Sequence, residues 1–283
     1  MRRVFWIGLL CLMLTACGAS DVTEETEYTE PATVCVEIET EAMVPSEPPV
    51  FSEDITFSGT YVQSEDVMPY ALFAPSSASS DTQIPVIVFL HGRGECNSSE
   101  SWFMGVGMPQ VMNEWSSEGF NAYIICPELF GRWNCGAWNN NLAASYVMEL
   151  LDCFTQEYAV DMERIFLVGF SAGGMGVLKL AELYPDYFSK MVVMSAPAPG
   201  VESLESVQIP TVGVSESEIS FNSFMKQAFP EAFGADSVRY YPVKHAEIPE
   251  AAFRDDTDGN NRSDLVEWLF ENTYVWNTET TGE

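Results

Sequence analysis

Arg164-Ile-Phe-Leu-Val-Gly-Phe-Ser-Ala-Gly-Gly174, continued by Met175-Gly-Val-Leu-Lys-Leu-Ala-Glu-Leu-Tyr184, decides how this chain folds. Its first half is an apolar run of strand length, the pattern of a strand covered on both faces. Its second half, from Ala172 to Tyr184, has helical length and spacing. Between them lies G-x-S-x-G, from Gly169 to Gly173. A sharp turn from strand to helix needs small neighbours, which the two glycines supply. Such a turn lifts the Ser171 hydroxyl above the sheet and aims a helix N-terminus at whatever reacts there.

The same alternation extends outward in both directions. Upstream, Ile55–Gln63 and Val67–Ala74 read as an antiparallel opening pair. Pro85–Leu90 and Asn121–Cys126 read as buried strands, with helices at Met108–Ser117, ended by Gly119, and at Asn140–Tyr158. Downstream, strands are expected at Lys190–Ser195, Ile209–Val214 and Val238–Val243. Helices are expected near Phe221–Phe229 and over Ser263–Asn272. Alternating strands and helices imply right-handed crossovers, hence an α/β domain with a mostly parallel central sheet flanked by helices. Ligands on such sheets bind beyond the carboxyl ends of the strands.

Those strand ends carry reactive side chains. After Leu90 comes His91-Gly-Arg-Gly94, a glycine-rich turn able to present backbone N–H groups. The N–H of Arg93, or of its neighbour, would pair with that of Ala172 to hold an oxyanion. His91, at the strand end before the turn, reads as structural. The chain has only two histidines, so His245, beyond the last strand, is the candidate base for Ser171. A serine hydroxyl is a poor nucleophile until a base takes its proton, and imidazole titrates in the right range. A carboxylate between Ser171 and His245 in the chain would orient the imidazole. Gly213-Val-Ser-Glu216 places Glu216 there, and Glu218 is the close alternative. Trp133 and Trp138, after the strand ending at Cys126, would either stack on a substrate ring or pack their own loop.

Val86-Ile-Val-Phe-Leu-His-Gly-Arg-Gly94, Tyr158-x-x-Asp161-x-x-Arg164, Val168-Gly-Phe-Ser-Ala-Gly-Gly174 and Tyr184-Pro-Asp-Tyr-Phe188 together resemble the α/β-hydrolase superfamily over about residues 55–275. Within it the chain looks like secreted esterases of the polyhydroxybutyrate-depolymerase and feruloyl-esterase type, and like predicted peptidases related to prolyl oligopeptidase. The resemblance implies a serine hydrolase with a Ser171–Glu216–His245 triad, an acyl-enzyme and no cofactor. A carboxylesterase comes first and a peptidase second; a non-catalytic surface binding protein on the same fold is the reading from another class. Two departures stand out. The usual Gly-x-x-Asp is Gly-x-x-Glu here, and Ala246 follows the histidine where Gly or Thr is commoner. A lid is often inserted after the strand matching Met191–Ser195. Only Ala196–Gln208 is available, so an open cleft is expected.

Composition narrows the partners. The 283 residues carry 42 Asp and Glu against 12 Lys and Arg, a formal charge of −30. Nucleic acid is excluded, because phosphate binding needs clustered bases. Residues 86–283 alone hold 28 acids and 10 bases, which favours neutral esters, free or linked to a polysaccharide. Two histidines make a multi-histidine metal site improbable. Asp256-Thr-Asp258-Gly-Asn-Asn261 does not match the EF-hand spacing and reads as a polar turn. No metal is expected.

The N-terminus reads as an address. Arg2-Arg3 and the apolar run Val4–Leu14 form a signal peptide over 1–16. Leu14-Thr-Ala-Cys17-Gly18 resembles a bacterial lipobox, in which Cys17 is acylated and becomes the first residue. Residues 17–50, rich in Glu, Thr and Pro, form an acidic tether, residues 51–276 the catalytic domain and 277–283 a disordered tail. The expected location is outside the cytoplasmic membrane or at the outer membrane of a bacterium, held by the lipid. Export permits disulfides. Cys96, Cys126, Cys135 and Cys153 admit three full pairings, with Cys96–Cys135 joining two loops at one end of the sheet, or stay buried thiols. The sequence sets no oligomeric state.

Overall fold

The computed structural model describes residues 50–134, 136–197, 208–217 and 238–271. The signal and tether, Cys17, Cys135, Glu218, the helix expected at Phe221–Phe229 and the tail lie outside the described residues. The strands are β1 (Phe51–Ser52), β2 (Phe57–Val62), β3 (Tyr70–Pro75), β4 (Ile84–Leu90), β5 (Gly119–Phe120), β6 (Tyr123–Pro127), β7 (Val160–Phe170), β8 (Lys190–Met194), β9 (Thr211–Ser215) and β10 (Val238–Tyr240). The helices are α1 (Glu100–Phe103), α2 (Gly107–Asn113), α3 (Asn141–Glu157), α4 (Ala172–Leu183), α5 (Ile248–Phe253) and α6 (Asp264–Phe270).

Eight strands form one sheet in the order β10-β9-β8-β7-β4-β6-β3-β2. From β6 to β10 every neighbouring pair is parallel, while β2–β3 and β3–β6 are antiparallel. The short β1–β5 pair stands apart. Every residue of β4 is buried, and its side chains alternate between two cores. Val86, Val88 and Leu90 join α3 and α4 residues such as Val147, Leu151, Val177 and Leu180. Ile87 and Phe89 join Met108, Val111, Phe253 and Leu269 from α2, α5 and α6. A strand alternates its side chains between faces, so one that is apolar throughout needs cover on both. This is an α/β sheet with helices on each face.

β10 and α2 stop short of their expected ends. β10 ends at Tyr240, not Val243, because Pro242 has no N–H for the ladder and Val243 N–H turns back onto the Tyr241 carbonyl at 2.7 Å. α2 ends at Asn113, not Ser117, where the Trp115 N–H closes onto Met112, three residues back, at 3.3 Å.

The registers make the parallel strands end level. Leu90 lies opposite Gly169, Phe170 opposite Met194, Met194 opposite Val214, and Ser215 opposite Tyr240. The connections that follow these five strands therefore leave the sheet along one rim. Among the described residues no cap domain covers it.

Candidate active site

The turn after β7 is shaped by its glycines. A β-carbon on Gly173 would lie 1.9 Å from the Leu90 carbonyl oxygen, and one on Gly169 2.3 Å from the Gly173 oxygen. Only glycine lets α4 press this closely on β4 and β7. Ser171 itself sits at φ +54°, ψ −112°, a sparsely populated conformation that costs about 1–3 kcal/mol. Its N–H holds the Met194 carbonyl at 2.8 Å, which ties the strained residue to β8.

Ser171 Oγ lies 3.0 Å from His245 Nε2, and His245 Nδ1 bonds Glu216 Oε1. These residues come from the ends of β7, β10 and β9. Glu216 Oε2 in turn accepts the Ser195 hydroxyl at 2.8 Å. Ser195 stands directly beyond β8 at φ +46°, with its N–H on the Val214 carbonyl at 2.8 Å. The chain Ser171–His245–Glu216–Ser195 thus runs along the level strand ends. Burial pushes the Glu216 carboxyl up, but hydrogen bonds from His245, its own backbone and Ser195 outweigh burial and hold it below its usual range. The carboxylate therefore stays charged beside the His245 imidazole. The Phe170 ring backs His245, with centroids 4.7 Å apart.

Ser195 and Phe170 were not singled out by the sequence. For Ser195 a faint signal existed: it closes the strand expected at Lys190–Ser195, whose neighbours also end in reactive groups. Phe170 was hidden as the variable residue of G-x-S.

His91 is fully buried. Its Nε2 accepts the Leu129 N–H at 3.2 Å and its Nδ1–H donates to the Gly92 carbonyl at 2.7 Å, which fixes the tautomer. Burial pushes this imidazole down to about 4, so it stays neutral and serves the turn. Arg93 opens a short 3-10 turn over Arg93–Glu95, and Ala172 opens α4. An N–H at the first position of a helix has no partner within it. Both candidate oxyanion donors therefore stand at turn starts, at the ends of the adjacent strands β4 and β7.

Of the two roles open to Trp138, the structure shows packing, not stacking on a substrate. It is 1% exposed, its Nε1–H donates to the His91 carbonyl at 2.9 Å, and it packs where a β-carbon on Gly176 would lie 2.6 Å from its own. Indole burial with its N–H satisfied is the more favourable use of so large an apolar ring. Trp133 is half-buried against the α3 and α4 core, and one face is taken by the Arg132 guanidinium, 4.3 Å from the ring centroid.

The polar turn Asp256–Asn261 closes on itself. Asp256 accepts the N–H groups of Gly259, Asn260 and Asn261 at 2.8–3.0 Å. Cys126 is a buried thiol and Cys153 an exposed one.

A family model described as the alpha/beta hydrolase fold matches residues 85–213. In sequence the chain is similar to feruloyl esterase B of Thermothelomyces thermophilus, 30% identical over 128 residues that cover 42% of each chain. It is also similar to feruloyl esterase B of Neurospora crassa, 26% identical over 115 residues, 38% of this chain and 37% of that one. The chain thus spans about two fifths of the length of the curated relatives it matches. In structure it is similar to the fluorophosphonate-binding serine hydrolase F of Staphylococcus aureus, with a TM-score of 0.54, 16% identity, and coverage of 77% of this chain and 99% of that one. At that identity the likeness is one of fold. Family match, parallel sheet order and the turn around Ser171 agree: this chain is built on the alpha/beta hydrolase fold.

Proposed function

We propose that the protein is a serine carboxylesterase, carried to the cell surface and held there by a lipid on Cys17. The observation that carries the chemical reading is the bonded series Ser171–His245–Glu216 at the strand ends. His245 Nε2 takes the Ser171 proton as Oγ bonds to the ester carbonyl carbon, and the N–H groups of Arg93 and Ala172 receive the oxyanion. As the intermediate collapses, the C–O bond to the alcohol breaks and His245 returns its proton to that leaving oxygen. Water then repeats the sequence on the acyl-enzyme, releasing the acid and freeing Ser171. Glu216 stays ionised and stabilises the imidazolium.

Similarity to two feruloyl esterases supports an aromatic-acyl or carbohydrate ester as substrate. A rim on which the described residues place no cap domain suits an ester attached to something bulky, and the acidic tether suits work at a surface. Ser171→Ala should abolish p-nitrophenyl acetate hydrolysis and fluorophosphonate labelling. Undiminished turnover would sink the proposal. Faster turnover of an amide than of its matched ester would make the protein a peptidase instead.

A further inference from the structure

The turn after β4 holds a buried carboxyl that the triad does not use. Glu95 is 8% exposed. Its Oε2 accepts the Gly92 N–H at 2.7 Å, and its Oε1 is buried with no hydrogen-bond partner among the described residues. Gly107, at φ +56°, makes the room: a β-carbon there would lie 1.9 Å from Oε1. An unpartnered buried carboxylate oxygen is costly, and the sequence keeps one beside the turn expected to hold the oxyanion.

The surrounding bonds show what the carboxyl grips. Trp138 Nε1–H holds the His91 carbonyl, Glu95 holds the Gly92 N–H, and His91 Nδ1–H holds the Gly92 carbonyl, which also accepts the Glu95 N–H at 3.2 Å. The first two bonds fix both ends of the His91–Gly92 peptide. In a planar trans peptide the C=O and N–H point opposite ways. Fixing the Gly92 carbonyl therefore sets the direction of the Arg93 N–H.

We propose that Glu95 is a positioning residue for the oxyanion turn. Its carboxyl locks the His91–Gly92 peptide while its N–H and the His91 ring hold the Gly92 carbonyl, so the peptide that carries the Arg93 N–H is set; its charge, lying behind that turn, opposes the negative oxygen that the turn must receive. This rests on the serine-esterase reading above. Burial pushes the Glu95 carboxyl up to about 7, against the pull of the Gly92 N–H, so its charge appears within the working range. Two of the groups facing it hold their state there. Burial keeps His91 neutral, and burial followed by Glu95 itself pushes the Cys126 thiol of β6 well up. The Glu128 carboxylate beyond β6 is held by Tyr61 Oη–H and by the Ser98 N–H and hydroxyl at 2.7–2.9 Å. Gly107 of α2 and Phe170 of β7 bring no charge.

The test measures kcat and KM for p-nitrophenyl acetate from about pH 5 to 9 in the wild type, Glu95→Gln and Glu95→Asp, with endpoint fluorophosphonate labelling of each. Wild-type kcat should fall on the alkaline side of its maximum, and Glu95→Gln should lose that fall with KM within about twofold. Glu95→Asp, whose shorter arm releases Gly92, should lose roughly tenfold in kcat at every pH, less than removal of an oxyanion donor costs. All three should label to completion. An alkaline limb unchanged in Glu95→Gln overturns the proposal while a labelled, active wild type leaves the esterase reading standing; a wild type neither labelled nor active removes that reading itself. Should both variants fail to fold, the wild-type profile decides, and a plateau to pH 9 overturns the proposal.

Discussion

Each oxygen of Glu216 has its own partner, His245 on one side and Ser195 on the other. A glutamate arm is one methylene longer than the aspartate usual at this place, and the second partner removes the freedom that the extra bond brings. Ser195→Ala should therefore lower kcat by about tenfold with endpoint labelling of Ser171 intact, since a hydrogen bond to a charged group contributes about 1.5–3 kcal/mol. Ser195→Thr, which keeps the hydroxyl, should recover much of it. Glu216→Gln should cost far more, roughly 10⁴-fold in kcat, because the amide misplaces the imidazole tautomer. Steady-state kinetics on the folded variants check both.

The elements themselves were legible wherever periodicity and glycine spoke together. The apolar run before Leu90 and the turn Gly169–Gly173 each had one physical solution, a strand with two cores and an α4 pressed against it. Trp138 was not legible, since an indole in a Gly- and Asn-rich loop looks the same from sequence whether it faces solvent or the core. The acid was legible only as a pair of candidates, because which glutamate reaches His245 depends on where β9 stops. At this scale Gly173→Ala should be strongly destabilising: its new methyl meets backbone oxygen at 1.9 Å, and no side-chain rotation relieves that. The ion pair Asp161–Arg164 at 2.6 Å, about 6% exposed on both sides, stabilises the start of β7. Asp161→Asn should cost about 3–5 kcal/mol, the range for removing one partner of a buried pair. Thermal unfolding of each variant is the measurement.

Across the whole molecule, two buried groups on one turn pull stability in opposite directions with pH. His91 is pushed down to about 4, so the unfolded chain binds the extra proton between about 4 and 6.5. That contribution to stability grows as pH rises through this window. Glu95 is pushed up to about 7, so here the folded state binds the extra proton. Its contribution is present at low pH and fades as pH rises from about 4.5 through 7. Glu95→Gln removes the second effect alone. The difference in Tm, variant minus wild type, should therefore climb steadily from pH 4.5 to 7, whatever its starting value. A flat difference would mean that Glu95 does not hold a proton in the folded state.

The level rim also sets an order of events in time. His245 follows β10, an edge strand and, among the described residues, the last of the sheet in the chain, while Ser171 and the turn around Arg93 rise from its middle. During synthesis the chain carries Ser171 well before His245, and in refolding the two meet only once β10 has docked on β9. Esterase activity should thus return later than the burial of Trp138, and the lag between the two signals times the docking of a single peripheral strand. On the proposed reading, Ser171 stays unactivated until the segment after β10 has arrived.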